Sequence, residues 1–201
     1  MFKSFLLDLG DTIFHPDWEK INEEMIKSTG ITVFMPDDIK KIYSGEVLVG
    51  KESMKSIFRR LIERFNPGVD VDEVIEVYSV LYKKHSKVNQ KMVSLLKKLK
   101  NKGYKMYALS NTNEIHKRIN EEKGIFSLFE KSYLSFEIGA KKPDEAAYKK
   151  FLEDTSLTAG ETIYLDDNEK NIEAAKKLGF EAIIYVDYNL FEKELIQRGI
   201  L

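Results

Sequence analysis

The chain has 201 residues, 43% hydrophobic and 32% charged, and its 32 Lys and Arg against 33 Asp and Glu leave a formal net charge of −1. That composition fits one globular domain with an addition, or two small ones, and offers no net positive field for nucleic acid or an anionic membrane. With no cysteine and three histidines, a disulfide scaffold, a thiol nucleophile and a thiolate metal site are excluded, a multi-histidine zinc centre is not expected, and a reducing, cytoplasmic setting is.

Phe5-Leu6-Leu7 is apolar on both faces and predicts a strand buried within a sheet, ended by Asp8-Leu9-Gly10-Asp11-Thr12. The run is too short for a signal peptide or a membrane span. From about His15 to His85 the pattern turns helical, with segments near 17–28, 37–44, 52–65 and 71–84 separated by Pro16, Pro36 and Pro67, and no strand is expected there. Beyond it, strands near 104–109, 132–136, 162–165 and 182–186 alternate with helices after Asn89, around Ile115 and Ile119, from Pro143 and over 168–178. Such alternation marks an α/β fold with a parallel, five-stranded sheet covered by helices. A helical stretch of some seventy residues is too long for a crossover connection. Residues 1–14 plus 88–201 are therefore expected to form the α/β core, and 15–87 an inserted helical domain. The apolar tail around Leu195, Ile196, Ile200 and Leu201 fits either packing on the core or pairing with a second copy, so a monomer and a homodimer both stay open.

Polar residues collect where these strands end. Asp8 closes the first, Ser110-Asn111 the second and Asp166-Asp167 the fourth, and the carboxyl ends of parallel strands form the ligand crevice of such sheets. Carboxylates converging on one point repel each other unless a cation intervenes. Oxygen donors without thiolates favour Mg²⁺, and a nearby Lys suits an anionic phosphoryl group. An Asp in that position also serves as a nucleophile.

In order, the chain reads Phe5-Leu6-Leu7-Asp8-Leu9-Gly10-Asp11-Thr12, then Leu109-Ser110-Asn111-Thr112-Asn113, then Gly139-Ala140-Lys141-Lys142-Pro143, then Leu165-Asp166-Asp167-Asn168 running to Ala175. The ordered set resembles the haloacid dehalogenase-like (HAD) hydrolases, and the insert is similar to the helical cap of their first cap class on a Rossmannoid core. The resemblance implies that Asp8 attacks phosphorus and binds Mg²⁺, that the Gly10 carbonyl and Asp167 complete the metal site with help from Asp166, that Ser110 and the Asn111 amide hold phosphoryl oxygens, and that Lys142 neutralises the transferring group. Lys141 is expected to be exposed, and Asn171 to support the loop or merely begin a helix. The implied partner is a small phosphorylated metabolite.

Most phosphatases of that family carry a second Asp two residues after the nucleophile, where this chain has Gly10. The missing side chain is the usual general acid/base. Asp11 does not replace it in an extended segment, where successive side chains point opposite ways. The trio Asp8-Leu9-Gly10, Ser110-Asn111-Thr112-Asn113 and Asp166-Asp167-Asn168 is similar to a subgroup that includes α-glucose-1-phosphatase-like enzymes, which implies a sugar phosphate as substrate. An inactive binding protein and a metal-free 2-haloacid dehalogenase are the alternatives; a response-regulator-like phosphoacceptor lacks a reason for the insert. In the insert, His15 and Lys51 are candidate substrate contacts, Trp18 is read as hinge packing, and His116 in the core as structural.

Overall fold

The computed structural model describes residues 2–201. Strand β1 (Ser4–Leu7) leads to a short β2 (Phe14–Pro16), the helices α1 (Trp18–Thr29), α2 (Asp37–Ile42), α3 (Met54–Phe65) and α4 (Val71–His85), and a short β3 (Ser86–Val88). Next in the chain are α5 (Gln90–Asn101), β4 (Lys105–Ser110), α6 (Glu114–Glu122), β5 (Lys131–Leu134), α7 (Ser135–Ile138), α8 (Glu145–Thr155), β6 (Thr162–Asp166), α9 (Glu169–Lys177), β7 (Glu181–Ile184) and α10 (Tyr188–Gln197).

Five strands form one parallel sheet in the order β5-β4-β1-β6-β7, with Leu7 opposite both Ala108 and Leu165. The first strand thus lies centrally, as its apolar run predicts. Side chains alternate across the sheet. Phe5, Leu7, Met106, Ala108, Ile163 and Leu165 pack on one face with Leu96, Leu99 and Leu195 from α5 and α10. Leu6, Tyr107, Leu109 and Tyr164 pack on the other with Tyr148, Phe151 and Ile172 from α8 and α9. The tail joins this core through Leu195 and Ile200, while Ile196 is exposed.

Three expectations are corrected in detail. The helix expected to open at Pro143 begins at Glu145, with Asp144 as N-cap. The strand expected over 132–136 stops at Leu134, where α7 takes over. The insert is also not purely helical at its ends: β2 and β3, the two chain crossings, pair antiparallel with Phe14 opposite Val88. Three residues per strand, one of them a proline, are too few to show a period.

The insert has its own apolar cluster. In α3 the buried residues Met54, Ile57, Phe58, Leu61 and Ile62 recur at helical spacing. Asp17 and Asp70 cap α1 and α4 by accepting from backbone amides. Ile115 and Ile119 of α6 belong to this cluster rather than to the sheet's, so α6 is shared between the two layers. Polar ties add to the docking. The Met54 amide donates to Glu114 Oε1 at 2.6 Å, and Lys141 Nζ donates to the Ser44 carbonyl at 2.8 Å. Lys141, expected to be exposed, is half-buried by this contact.

Gly50 makes the tightest approach. Its φ is +75°, and a Cβ built there would lie 2.1 Å from the Phe136 carbonyl oxygen. Gly50→Ala is therefore expected to lower stability by about 1–3 kcal/mol through left-handed strain and the lost approach. Urea unfolding of the two proteins side by side measures it; an unchanged midpoint would mean the contact contributes nothing.

Candidate active site

β1, β4 and β6 end side by side, so the residues after each strand are delivered to one crevice. Asp8, just past β1, is anchored by its amide donating to the Leu165 carbonyl at 2.8 Å. Between Asp8 and Asp166 lies Lys142: its Nζ is 2.7 Å from Asp8 Oδ1 and 2.6 Å from Asp166 Oδ2. All three are buried, with residue exposures of 8%, 4% and 0% for Asp8, Lys142 and Asp166, so the charges interact with little screening. Burial alone would lower the Lys142 ammonium, but the two carboxylates outweigh it and hold the group above the usual lysine value.

The carboxylates are not equivalent. Asp166 accepts from Lys142, from the Tyr164 hydroxyl, from the Asn168 amide at 2.9 Å and from Asn171 Nδ2 at 3.0 and 3.1 Å. Burial acts to raise its pKa, yet Lys142 and these donors bring it below the usual carboxylate range. Asp8 has fewer donors, and burial pushes it up despite Lys142, with the Asp166 charge adding to the rise. Asp167 is exposed and is also raised, by desolvation first and then by the charges of Asp166 and Asp11.

Among the described residues Asp8, Asp166 and Asp167 bring ligand oxygens within 4.8 Å of one another. Hard oxygen donors with more negative charge than one ammonium balances fit Mg²⁺. Both oxygens of Asp166 are already engaged, so Asp8 and Asp167 are the carboxylates with capacity to spare.

The other residues named from the sequence are spread more widely. Ser110 is buried at the end of β4. Asn111 uses its side chain elsewhere: Nδ2 donates to the Lys142 carbonyl and Oδ1 accepts from the Lys142 amide, both at 2.8 Å. It clamps the lysine loop and leaves only its backbone amide for a phosphoryl oxygen. Gly10 has ordinary φ, and a Cβ there would meet nothing closer than Asp8 Oδ2 at 4.0 Å. The segment does not stay extended beyond it. Asp11 has φ +47°, and the Thr12 amide turns back to the Gly10 carbonyl at 2.6 Å. The objection that an extended backbone points Asp11 away therefore fails, and its charge reaches Asp167. His15, half-buried in β2, has Nδ1 3.6 Å from Asp11 Oδ1. Lys51 is exposed, 3.8 Å from Glu46.

A cavity of about 430 Å³ lies where the insert meets the core, and its lysine is Lys40 rather than Lys51. Trp18, Tyr43 and Phe58 of the insert line it together with Asn113 and His116 of the core, Trp18 and His116 with ring centroids 5.8 Å apart. Trp18, read as hinge packing, and His116, read as structural, are both part of its wall. The one available sequence signal was Asn113, which closes the Ser110-Asn111-Thr112-Asn113 motif.

A family model described as haloacid dehalogenase-like hydrolase matches residues 16–185. The chain belongs to that family. It is 24% identical over 202 residues to drimenol cyclase of Aspergillus calidoustus, covering 98% of this chain and 36% of that protein. It is 33% identical over 87 residues to D-ribitol-5-phosphate phosphatase of Bacteroides thetaiotaomicron, covering 40% and 42%. The chain thus spans less than half the length of these two relatives within the matched regions. Among solved structures, a HAD family enzyme of Bacteroides thetaiotaomicron in complex with magnesium and inorganic phosphate superposes with a TM-score of 0.79 at 24% identity, covering 95% of this chain and 99% of that one. That likeness concerns the fold. Among the described residues, no helix is long and apolar enough to cross a membrane.

His116 yields a pH prediction. Its burial pushes the imidazole down to about 3, so the unfolded chain takes up a proton near pH 6.5 that the folded one refuses. Stability is complete above about pH 6.5 and falls as pH drops from there toward 3, with a slope of up to about 1.4 kcal/mol per pH unit from this group. His116→Gln is expected to flatten that part of the unfolding profile between pH 6.5 and 4.5; parallel profiles would contradict it.

Proposed function

We propose that the chain is a Mg²⁺-dependent phosphatase that cleaves a phosphate monoester through an aspartyl-phosphate at Asp8. The observation that carries this reading is the buried Asp8–Lys142–Asp166 row opening onto Asp167. Of the two carboxylates flanking Lys142, Asp8 has the fewer donors, and Lys142 sits where it can hold both the attacking oxygen and an incoming phosphoryl oxygen. Ser110 and the Asn111 amide line the same strand end. Asp166 serves as the lysine's anchor, and Asp8, Asp167 and the Gly10 carbonyl, which keeps a lone pair beyond its bond to Thr12, are the metal's ligands. Mg²⁺ bound there supplies charge neutralisation for the phosphoryl group.

In this scheme an Asp8 oxygen bonds to phosphorus as the bond to the alcohol oxygen breaks. The alkoxide takes up a proton, and water then cleaves the acyl phosphate to return the carboxylate and release phosphate. An intact row of Asp8, Lys142 and Asp166 argues against an inactive binding protein, and the additional carboxylate at 167 against a metal-free dehalogenase. Relatives of the chain are named for different alcohols, a sesquiterpene phosphatase of Aspergillus oryzae at 24% identity beside the ribitol phosphate enzyme, so the family leaves the alcohol open. A sugar, expected from the subgroup resemblance, meets few unpaired polar groups in the insert.

Phosphate release from acetyl phosphate and p-nitrophenyl phosphate with Mg²⁺ and with EDTA tests the reading. Metal-dependent turnover that Asp8→Asn abolishes is the expected result, and equal release by both proteins would end it. The glycine gives a second test. Because a side chain at position 10 fits beside Asp8, Gly10→Asp is expected to speed alkyl phosphate hydrolysis by about 10- to 100-fold by supplying an acid for the leaving oxygen. It should change p-nitrophenyl phosphate far less, since that leaving group needs no proton. Equal effects on both esters would show that the new carboxylate acts otherwise.

A further inference from the structure

The cavity between insert and core is linked to the proposed phosphate site through three short runs of residues. Asn113 in its wall is three residues past Ser110, which limits their Cα separation to about 11 Å. Tyr43 in its wall precedes Ser44, whose carbonyl accepts from Lys141, the neighbour of Lys142. His116 in its wall stacks on Tyr82 with ring centroids 4.0 Å apart, and Tyr82 packs on Phe14, whose neighbour His15 has Nδ1 3.6 Å from Asp11 Oδ1. These links make the cavity the candidate space for the alcohol of a monoester whose phosphate is at Asp8.

The chemistry of the wall is apolar. Trp18, Val33, Met35, Met54, Phe58 and Leu61 supply much of it. Its polar atoms are largely spent on one another. Tyr78 Oη and His116 Nε2 are 2.6 Å apart, Asn113 Nδ2 lies 3.3 Å from His116 Nδ1 and 3.4 Å from Tyr43 Oη, and Asn113 Oδ1 accepts the amides of Ile115 and His116. The imidazole is held neutral by burial, so it offers no charge, and Lys40 is exposed. A sugar or polyol entering here would give up its hydration for few returning hydrogen bonds. An apolar alcohol gives up little, and 430 Å³ is in the range of small-ligand sites.

We infer that the substrate is the phosphate monoester of a predominantly apolar alcohol, aromatic or aliphatic, seated against the Trp18–His116 wall. The inference rests on the phosphatase reading for the place of the phosphate, and it replaces the sugar expected from sequence resemblance.

Trp18 is the chain's single tryptophan and lines the cavity, so occupancy is readable without turnover. The Mg²⁺-loaded protein would be titrated with hexylphosphonate and with a glucose phosphonate, following Trp18 emission and heat. In parallel, kcat/KM would be measured for hexyl phosphate, phenyl phosphate and glucose 6-phosphate. Hexylphosphonate is expected to bind at least about tenfold more tightly and to shift Trp18 emission saturably, with the apolar esters leading in kcat/KM through a lower KM. Met35→Asp is expected to narrow the gap between the two phosphonates by about tenfold. Equal or tighter binding of the glucose phosphonate, or hexylphosphonate binding that leaves Trp18 and the Met35 variant unaffected, would overturn the inference. Failure of the phosphatase reading would show itself separately, as metal-independent or absent hydrolysis of acetyl phosphate, with the phosphonate comparison still deciding what the cavity accepts.

Discussion

One ammonium held between two carboxylates organises this molecule. Lys142 is nearly inaccessible, as are Asp8 and Asp166, and each is tolerable in the interior only because of the other two. Their positions come from elements far apart in sequence: the first strand, the loop before α8, and the end of β6. The parallel sheet is what brings them together, since strand order places β1 between β4 and β6. Side-chain clamps then fix the lysine. Asn111 grips the backbone of Lys142 from the end of β4, while Asn171 and Tyr164 orient its anchor. The donors are divided unevenly, so one carboxylate becomes a fixed counter-ion and the other stays available for chemistry.

The insert adds the second constraint. It carries its own apolar cluster, yet that cluster is completed by Ile115 and Ile119 of a core helix. The wall of the cavity between them is consequently a joint product, with aromatic residues from the insert and Asn113 and His116 from the core. Hydrogen bonds that in a sugar-binding cleft would face the ligand are closed here among Tyr78, His116, Asn113 and Tyr43.

Much of this was legible in the sequence because its signals are periodic or ordered. The apolar run before Asp8, the strand-helix alternation after Asn89, and the four helical segments of the insert all arise from burial on one face or two. The polar strand ends reflect where ligands sit on such sheets. What escaped was pairwise and three-dimensional. The β2–β3 ribbon is too short for a pattern. The backward turn at Asp11 depends on one left-handed residue; Asp enters that region more readily than most types, but its identity alone does not fix the turn. Lys51, expected to contact substrate, lies outside the cavity lining, whereas Lys40, inside an ordinary helix, is part of it. The pairing of His116 with Tyr78 joins positions thirty-eight residues apart and has no local signature. That pairing is what turns polar residue types into an apolar surface.

Helix α6 occupies nine residues and begins four past Ser110. Its first turn offers Glu114 to the amide of Met54 and His116 to the hydroxyl of Tyr78, so it works as a socket for the insert. A foreign insert transplanted onto this core would have to present a free backbone amide and a phenol at the same two points, and an apolar face to Ile115 and Ile119. Most of the insert is released from that requirement, including the residues that shape the cavity's far wall. The fold thereby separates what must be kept for the two layers to fit from what can be exchanged to change the molecule that fits between them.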